Sequence, residues 1–222
     1  MKKQETTSGK CQLCKTTFNK AGMTKHLPDC IVKHQENSPK KKPHKGWLLQ
    51  VSRTPYWWLY VLARTNATLG DLDNFLRDTW LECCGHLSSF EILGKTYESG
   101  GDPVFGSDHD ESEMSIQLDK VLKPKLKFTH EYDFGTTTEL ELKVLTEANS
   151  SYSEPIKLLA RNDPPELLCD VCKKPAKVIC TDCILEGQGW LCTKCSSKHE
   201  CDEEMFLPVV NSPRTGVCGY TG

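Results

Sequence analysis

The stretch that decides the fold is residues 47–80, WLLQVSRTPYWWLYVLARTNATLGDLDNFLRDTW. Its first half holds two runs, WLLQV and PYWWLYVLAR, crowded with the aromatic and branched residues that favour β-strands. The second half changes period. Over residues 68–80, Leu69, Leu72, Phe75, Leu76 and Trp80 recur at helical spacing and line one face. Thr68, with Asp71 three positions on, has the form of a capping box and predicts where that helix starts. Strands followed by an amphipathic helix predict an α+β core, in which Trp57, Trp58, Phe75 and Trp80 pack rather than stack on bases.

Further along, HLSSFEIL (86–93), KLKFTHEYDF (125–134) and ELELKVL (139–145) alternate as strands. Between them, residues 98–119 carry seven acidic side chains and no Lys or Arg, which predicts a solvated insertion. Asp108, His109, Asp110 and Glu111 lie there; a hard-cation site is one reading of them and a solvated charge run the simpler one. Asp133-Phe134-Gly135 is spelled like the kinase metal motif. No glycine-rich loop, strand lysine or HRD loop precedes it, so a strand end turning at Gly135 is expected. Cys83 and Cys84, just past the helix, are expected to be small buried residues.

DLDNFLRDTW (71–80), HLSSFEILG (86–94) and EYDFG (131–135), in this order, resemble the Ri-plasmid ORF-three-like family. Its members also carry insertion-element passenger labels, sometimes with a resolvase-like name. The resemblance covers roughly residues 47–162 and continues into LLARNDPPE (158–166) and LPVVNSPRTGVCGYTG (207–222). It implies an α+β domain and no established activity. Many members follow YDFG with an acidic residue and a Trp, where this chain has Thr136, Thr137 and Thr138. A resolvase needs a Ser or Tyr nucleophile among arginines. The five arginines here, Arg53, Arg64, Arg77, Arg161 and Arg214, are dispersed, so that activity is rejected.

Hydrophobic residues make up 37% of the 222 and charged residues 26%, enough for a core but not for uniform packing. No apolar run approaches the roughly 20 residues of a membrane span. The start, MKKQETTSGK, has no apolar region behind its charges, so a secretory signal is not expected. A cytoplasmic protein follows, with no membrane partner. Its 13 cysteines are then expected to be reduced or metal-bound rather than paired in disulfides. Charge is divided too. Residues 1–45 hold eleven Lys and three acidic residues, a net of +8 in a chain whose total is −2. The remainder is therefore acidic.

In the basic head, Cys11-x2-Cys14 followed by His26-x3-Cys30 has zinc-finger spacing. His26 and Cys30, at i and i+4, share a helical face, and Phe18 and Leu27 sit where such fingers keep a small core. The set resembles the C2H2 class with the last His replaced by Cys. NSPKKKPHK (37–45) follows, with Lys40, Lys41, Lys42 and Lys45. A solvated linker, a phosphate-contacting arm and a nuclear-import signal all fit these letters.

In the tail, Cys169-x2-Cys172, Cys180-x2-Cys183 and Cys192-x2-Cys195 precede His199 and Cys201. Eight ligands at such spacings predict two zinc ions. The order resembles a B-box-type cross-brace. That resemblance implies one ion on Cys169, Cys172, Cys192 and Cys195, and another on Cys180, Cys183, His199 and Cys201. Sequential pairing is the alternative, disfavoured by the short link between the first two knuckles. With all positions filled by protein, such sites are structural. Three Zn2+ per chain are expected.

The organisation read from the sequence is a finger (1–34), a basic linker (35–46), an α+β core (47–163), a two-zinc module (164–207) and an extended tail (208–222). The tail is expected to dock on the core or on a partner. Cys218 within it reads as a spare ligand, a reactive thiol or a buried one. No nucleotide-binding, G-x-S-x-G or H-E-x-x-H motif occurs, so no catalytic residue is assigned. The function expected is a non-enzymatic multi-zinc adaptor. Residues 1–45 would bind nucleic acid, RNA in particular, or a ribonucleoprotein, and the core or tail module a protein. A purely protein-binding scaffold, and an enzyme with a cleft in the core, are the alternatives.

Overall fold

The computed structural model describes residues 7–36, 43–53, 56–100 and 113–222. Lys40, Lys41 and Lys42, and the acidic run Asp108 to Glu111, lie outside the described residues.

The elements in chain order are β1 (Ser8–Cys11), β2 (Thr17–Asn19), α1 (Lys20–Glu36), β3 (His44–Arg53) and β4 (Trp57–Arg64). Next come α2 (Leu69–Leu76), a π turn (Arg77–Leu81), β5 (Ser88–Ile92) and β6 (Lys95–Glu98). After a 3-10 turn (Glu113–Ser115) follow α3 (Leu118–Val121), β7 (Lys127–Tyr132), β8 (Thr138–Ser150) and β9 (Ile156–Asn162). The cysteine-rich part adds β10 (Val178–Cys180), a 3-10 turn (Cys183–Glu186), β11 (Trp190–Leu191), α4 (Thr193–Ser196) and β12 (Phe206–Pro208).

Nine strands form one antiparallel sheet in the order β2-β1-β9-β4-β3-β8-β7-β5-β6. On one face Leu49, Val51, Leu59, Val61, Phe90, Phe128, Leu140 and Leu142 meet Leu69, Leu72, Leu76 and Trp80. On the other face Leu48, Trp58, Tyr60, Leu62 and Leu159 meet Met23, Leu27 and Ile31 of α1. β4, covered on both sides, is buried along nearly its whole length. β7 alternates buried with open positions, as a one-sided strand must. An open groove of about 600 Å³ remains there, edged by Lys20, Gln50, Glu91, Lys127, Glu141 and Lys143.

The capping box forms as its letters require. The Thr68 hydroxyl oxygen accepts from the Asp71 N–H at 3.0 Å, and the Asp71 carboxylate accepts from the Thr68 N–H at 2.8 Å. The helix expected over residues 68–80 is regular only to Leu76 and then widens into the π turn, which still buries Trp80 and Leu81. Arg77 opens that turn and is held by Asp73 at 2.8 Å and Glu82 at 2.9 Å, while donating to the His86 carbonyl at 2.6 Å. π turns concentrate at functional sites.

Trp58 and Trp80 are core residues, and Trp57 and Phe75 pack half-buried against the same core. The chain after β7 turns as expected around Gly135, bending over residues 134–136 after Asp133 takes a left-handed φ of 66°. The Asp133 carboxylate accepts from the N–H groups of Gly135 and Thr136 and from the Thr136 hydroxyl, which stabilises the left-handed turn.

The finger is joined to the core sheet. β1 pairs with β9, Gly9 opposite Asn162 and Cys11 opposite Ala160. Gly9 is required at this seam, because a Cβ there would run into the Arg161 carbonyl and the Trp58 ring. β3 begins at His44, so Lys45 is a strand residue, exposed at the sheet end rather than part of a free arm. The tail docks on the core. Arg214, fully buried, pairs with Asp133 at 2.5 Å and donates to the Thr138 hydroxyl at 3.1 Å, while the Ser212 hydroxyl donates to the Trp80 carbonyl at 2.6 Å.

Candidate metal centres

The finger site begins with a turn after β1. The Lys15 N–H donates to the Cys11 carbonyl and the Cys11 N–H to the Thr16 carbonyl, each at 2.9 Å, with Lys15 left-handed at φ 63°. The turn after Cys169 repeats this geometry. The Lys173 N–H donates to the Cys169 carbonyl at 2.9 Å, the Cys169 N–H to the Lys174 carbonyl at 2.7 Å, and Lys173 has φ 59°. Two CxxC sequences far apart thus form the same two-thiol turn.

α1 supplies the other finger donors from consecutive helical turns. Cys11 Sγ lies 3.9 Å from Cys30 Sγ, and Cys14 Sγ lies 3.2 Å from His26 Nε2. Phe18 stacks on the His26 ring with centroids 4.2 Å apart. In the tail module the grouping is interleaved: Cys169, Cys172, Cys192 and Cys195 converge, as do Cys180, Cys183, His199 and Cys201. Representative separations are 3.5 Å for Cys172–Cys192, 3.7 Å for Cys183–Cys201 and 3.3 Å for Cys183–His199. The Asp170 carboxylate ties the two halves together by accepting from the N–H groups of Gly189 and Trp190 at 2.8 and 2.9 Å.

Electrostatics within each group are divided. Burial pushes the Cys14 thiol up, but the hydroxyl and N–H of Thr16 outweigh it and bring it down to about 6. Cys30, desolvated and facing Cys11, is pushed up to about 12. Cys169 falls to about 6 because N–H donors from Cys172, Cys192 and Val171 overcome burial, while burial and the neighbouring Cys172 and Cys192 push Cys195 up to about 12. The first thiolate in such a group forms readily, and the last forms only beside a cation.

A fourth group was not expected. Cys83, Cys84, His86 and Cys218 bring their donor atoms within 4.8 Å of one another, as do the other three sets. Among the described residues there are therefore four groups that could hold a metal ion, rather than the three expected. The structure also corrects the expectation for Cys83 and Cys84: Cys83 packs only half-buried against the core, and Cys84 is exposed. The adjacent letters Cys83-Cys84-x-His86 were a signal. Their partner lies 132 residues beyond His86, out of range of any spacing rule. Each of the four sets offers sulfur with at most one imidazole, a donor chemistry suited to zinc or iron–sulfur centres and unsuited to hard cations. Four protein donors per set complete a tetrahedron.

Lys45, the one described member of the predicted phosphate-contacting lysines, is far in sequence from the knuckle but exposed like Lys10, Lys15, Lys25 and Lys33. In the sheet groove, burial pushes Lys20 below its ordinary value, opposed by Glu141. Among the described residues no helix is long and apolar enough to cross a membrane.

No curated protein matches the chain. A solved structure of a protein of unknown function from Methanosarcina mazei Go1 is similar at 19% identity and a TM-score of 0.41, covering 50% of this chain and 65% of that one, just under two thirds of its length. The plasmid pRiA4b ORF-3-like protein family matches residues 49–171, the stretch that holds most of the sheet and α2 and ends within the first tail knuckle, between Cys169 and Cys172. On that match the chain belongs to the plasmid pRiA4b ORF-3-like protein family, with cysteine-rich metal-site groups added at both ends of the family domain.

Proposed function

We propose that the protein is a non-enzymatic, zinc-built cytoplasmic adaptor that engages nucleic acid, RNA in particular, or a ribonucleoprotein through residues 1–45. The observation that carries this reading is the charge division: eleven Lys against three acidic residues in the head, on a body of opposite sign. Lys10, Lys15, Lys25, Lys33 and Lys45 all stand exposed around the finger. Such an array attracts phosphate without reading sequence. Zinc is supported by the thiolate–imidazole donor sets. A structural role is supported by their having no position left for water or substrate.

Removing the whole head is a poor test, because β1 is a sheet strand and α1 covers Trp58, Tyr60 and Leu62. Substitution is cleaner. Changing Lys40, Lys41, Lys42 and Lys45 to Ala should weaken RNA binding in a mobility-shift assay and lower the salt slope by roughly 3 to 4, at about 0.7 per lost phosphate contact on a single strand and about 0.9 on a duplex. No binding by the native chain at roughly 50 mM salt, the low end of the usual range, removes the proposal. A protein-binding scaffold is the second reading. It is favoured by Val171 and Leu185, which stand 70% and 86% exposed on the tail module. Partners that survive nuclease treatment distinguish it.

A further inference from the structure

We infer that Cys83, Cys84, His86 and Cys218 form a fourth metal site, for a divalent ion of the zinc class, and that this ion latches the C-terminal segment onto the core. The inference is independent of nucleic-acid binding.

Geometry is the first support. Sulfurs and nitrogens placed 2.3 Å and 2.0–2.1 Å from one ion at tetrahedral angles stand about 3.8 Å (S–S) and 3.5 Å (S–N) apart. Here Cys83–Cys84 is 3.6 Å, Cys84–Cys218 3.8 Å, His86–Cys218 3.2 Å and Cys84–His86 3.0 Å. The finger and the tail module span an overlapping range, 3.2 to 3.9 Å. The sulfurs are also too far apart for a disulfide, whose bond is about 2.05 Å.

The backbone is the second support. Neighbouring side chains on a strand point apart, so two adjacent cysteines reach one ion only where the chain bends, as it does at 83–84. Gly85 then takes φ 77° and turns His86 back toward the thiols, its N–H held by Glu82 at 2.5 Å. From the other side Cys218 is presented by a left-handed residue, φ 48°, between Gly216 and Gly219 at φ 80° and 68°. A cysteine in that conformation is costly unless its surroundings over-determine it.

The surroundings complete the picture. Arg214 donates to Cys83 Sγ at 3.5 Å while its guanidinium also holds Asp133. A cationic donor beside a ligating sulfur offsets the negative charge that three thiolates bring. Arg77 fixes the loop by donating to the His86 carbonyl. The ion would therefore join the end of the π turn to a residue 132 or more positions away, next to the contacts that dock the tail.

One difference sets this site apart. Cys11, Cys169 and Cys180 give each of the other centres a fully buried ligand, whereas Cys84 and Cys218 are exposed and Cys83 and His86 half-buried. The fourth ion should consequently be the first to exchange.

The test is metal content of the full chain, purified under reducing conditions with zinc, measured by atomic emission for the native protein, Cys84→Ser and Cys218→Ser. Native protein should carry one ion more per chain than either variant. A pyridylazo chelator should remove that ion in a fast phase that both variants lack. With cobalt in place of zinc, native protein should show additional thiolate-to-cobalt absorption relative to either variant. Equal metal content in all three proteins overturns the inference, as does a native mass two hydrogens low that maps to a Cys84–Cys218 disulfide. If one variant fails to fold, the fast chelator phase of the native chain decides: its absence overturns the site.

Discussion

The two ends of the chain use the same two-thiol turn in opposite structural economies. At the head, α1 buries Met23, Leu27 and Ile31 against the sheet, and β1 is a paired strand. At the tail, the buried cluster is Cys169, Cys180, Leu191 and Cys192, with Val178 and Phe206 beside it. The head has an apolar core that its metal ligands border. In the tail module the ligands are most of the core. The same chemistry should thus be accessory in one place and indispensable in the other.

The largest expected effect is on the tail module. Stripping metal with a strong chelator, or changing Cys180 to Ser, should unfold residues 167–207, since structural zinc supplies roughly 10–16 kcal/mol of apparent folding free energy in small modules. Proteolysis should then cut between Cys169 and Cys201 while α1 stays protected. Equal loss of protection at both ends would break the comparison.

A smaller effect falls on the head. Gly9→Ala should wedge β1 from β9 and cost about 1–3 kcal/mol, as overpacking does. Urea unfolding of the native and variant proteins measures it. Amide exchange should quicken in β1 and α1 and stay unchanged in β10 to β12. An unaltered midpoint would mean that the seam carries no stability.

The smallest effect comes from pH, and it separates the sheet from the tail module. His130 is fully buried, where desolvation holds its pKa below the ordinary value although Asp73, at 2.7 Å from Nε2, pulls the other way. Its Nδ1 has no hydrogen-bond partner among the described residues, so protonation would place an unmatched donor in the core. With the folded pKa lowered, this contribution is complete above about pH 6.5 and is lost as pH falls below it, by at most about 1.4 kcal/mol per unit. Urea midpoints between pH 7 and 5 should fall accordingly in the native protein, and more shallowly in His130→Gln.

Much of this was legible in the letters, and the reasons are local. Residues 47–80 announce two strands and a capped helix because period and capping are short-range properties. CxxC pairs announce their turns because two thiols three residues apart need one backbone shape. Two features stayed out of reach for want of long-range information. Helical spacing continues through Trp80, but it does not show that the helix widens at Arg77 to meet Asp73, Glu82 and the His86 carbonyl. Cys83 and Cys84 look like core filler until Cys218 is brought beside them.

The sequence by itself determined the α+β class, the family, the charge division and three of the four candidate metal groups among the described residues, each of those three from residues within 26 positions of one another. Tertiary structure alone decided that the finger is an edge of the core sheet, that the tail docks through buried Arg214, and that three leftover cysteines and His86 converge. The physical reason is common to all three. Strand pairing, a buried ion pair and a four-donor cluster between distant segments depend on where the folded chain returns, and spacing along the sequence carries no record of that.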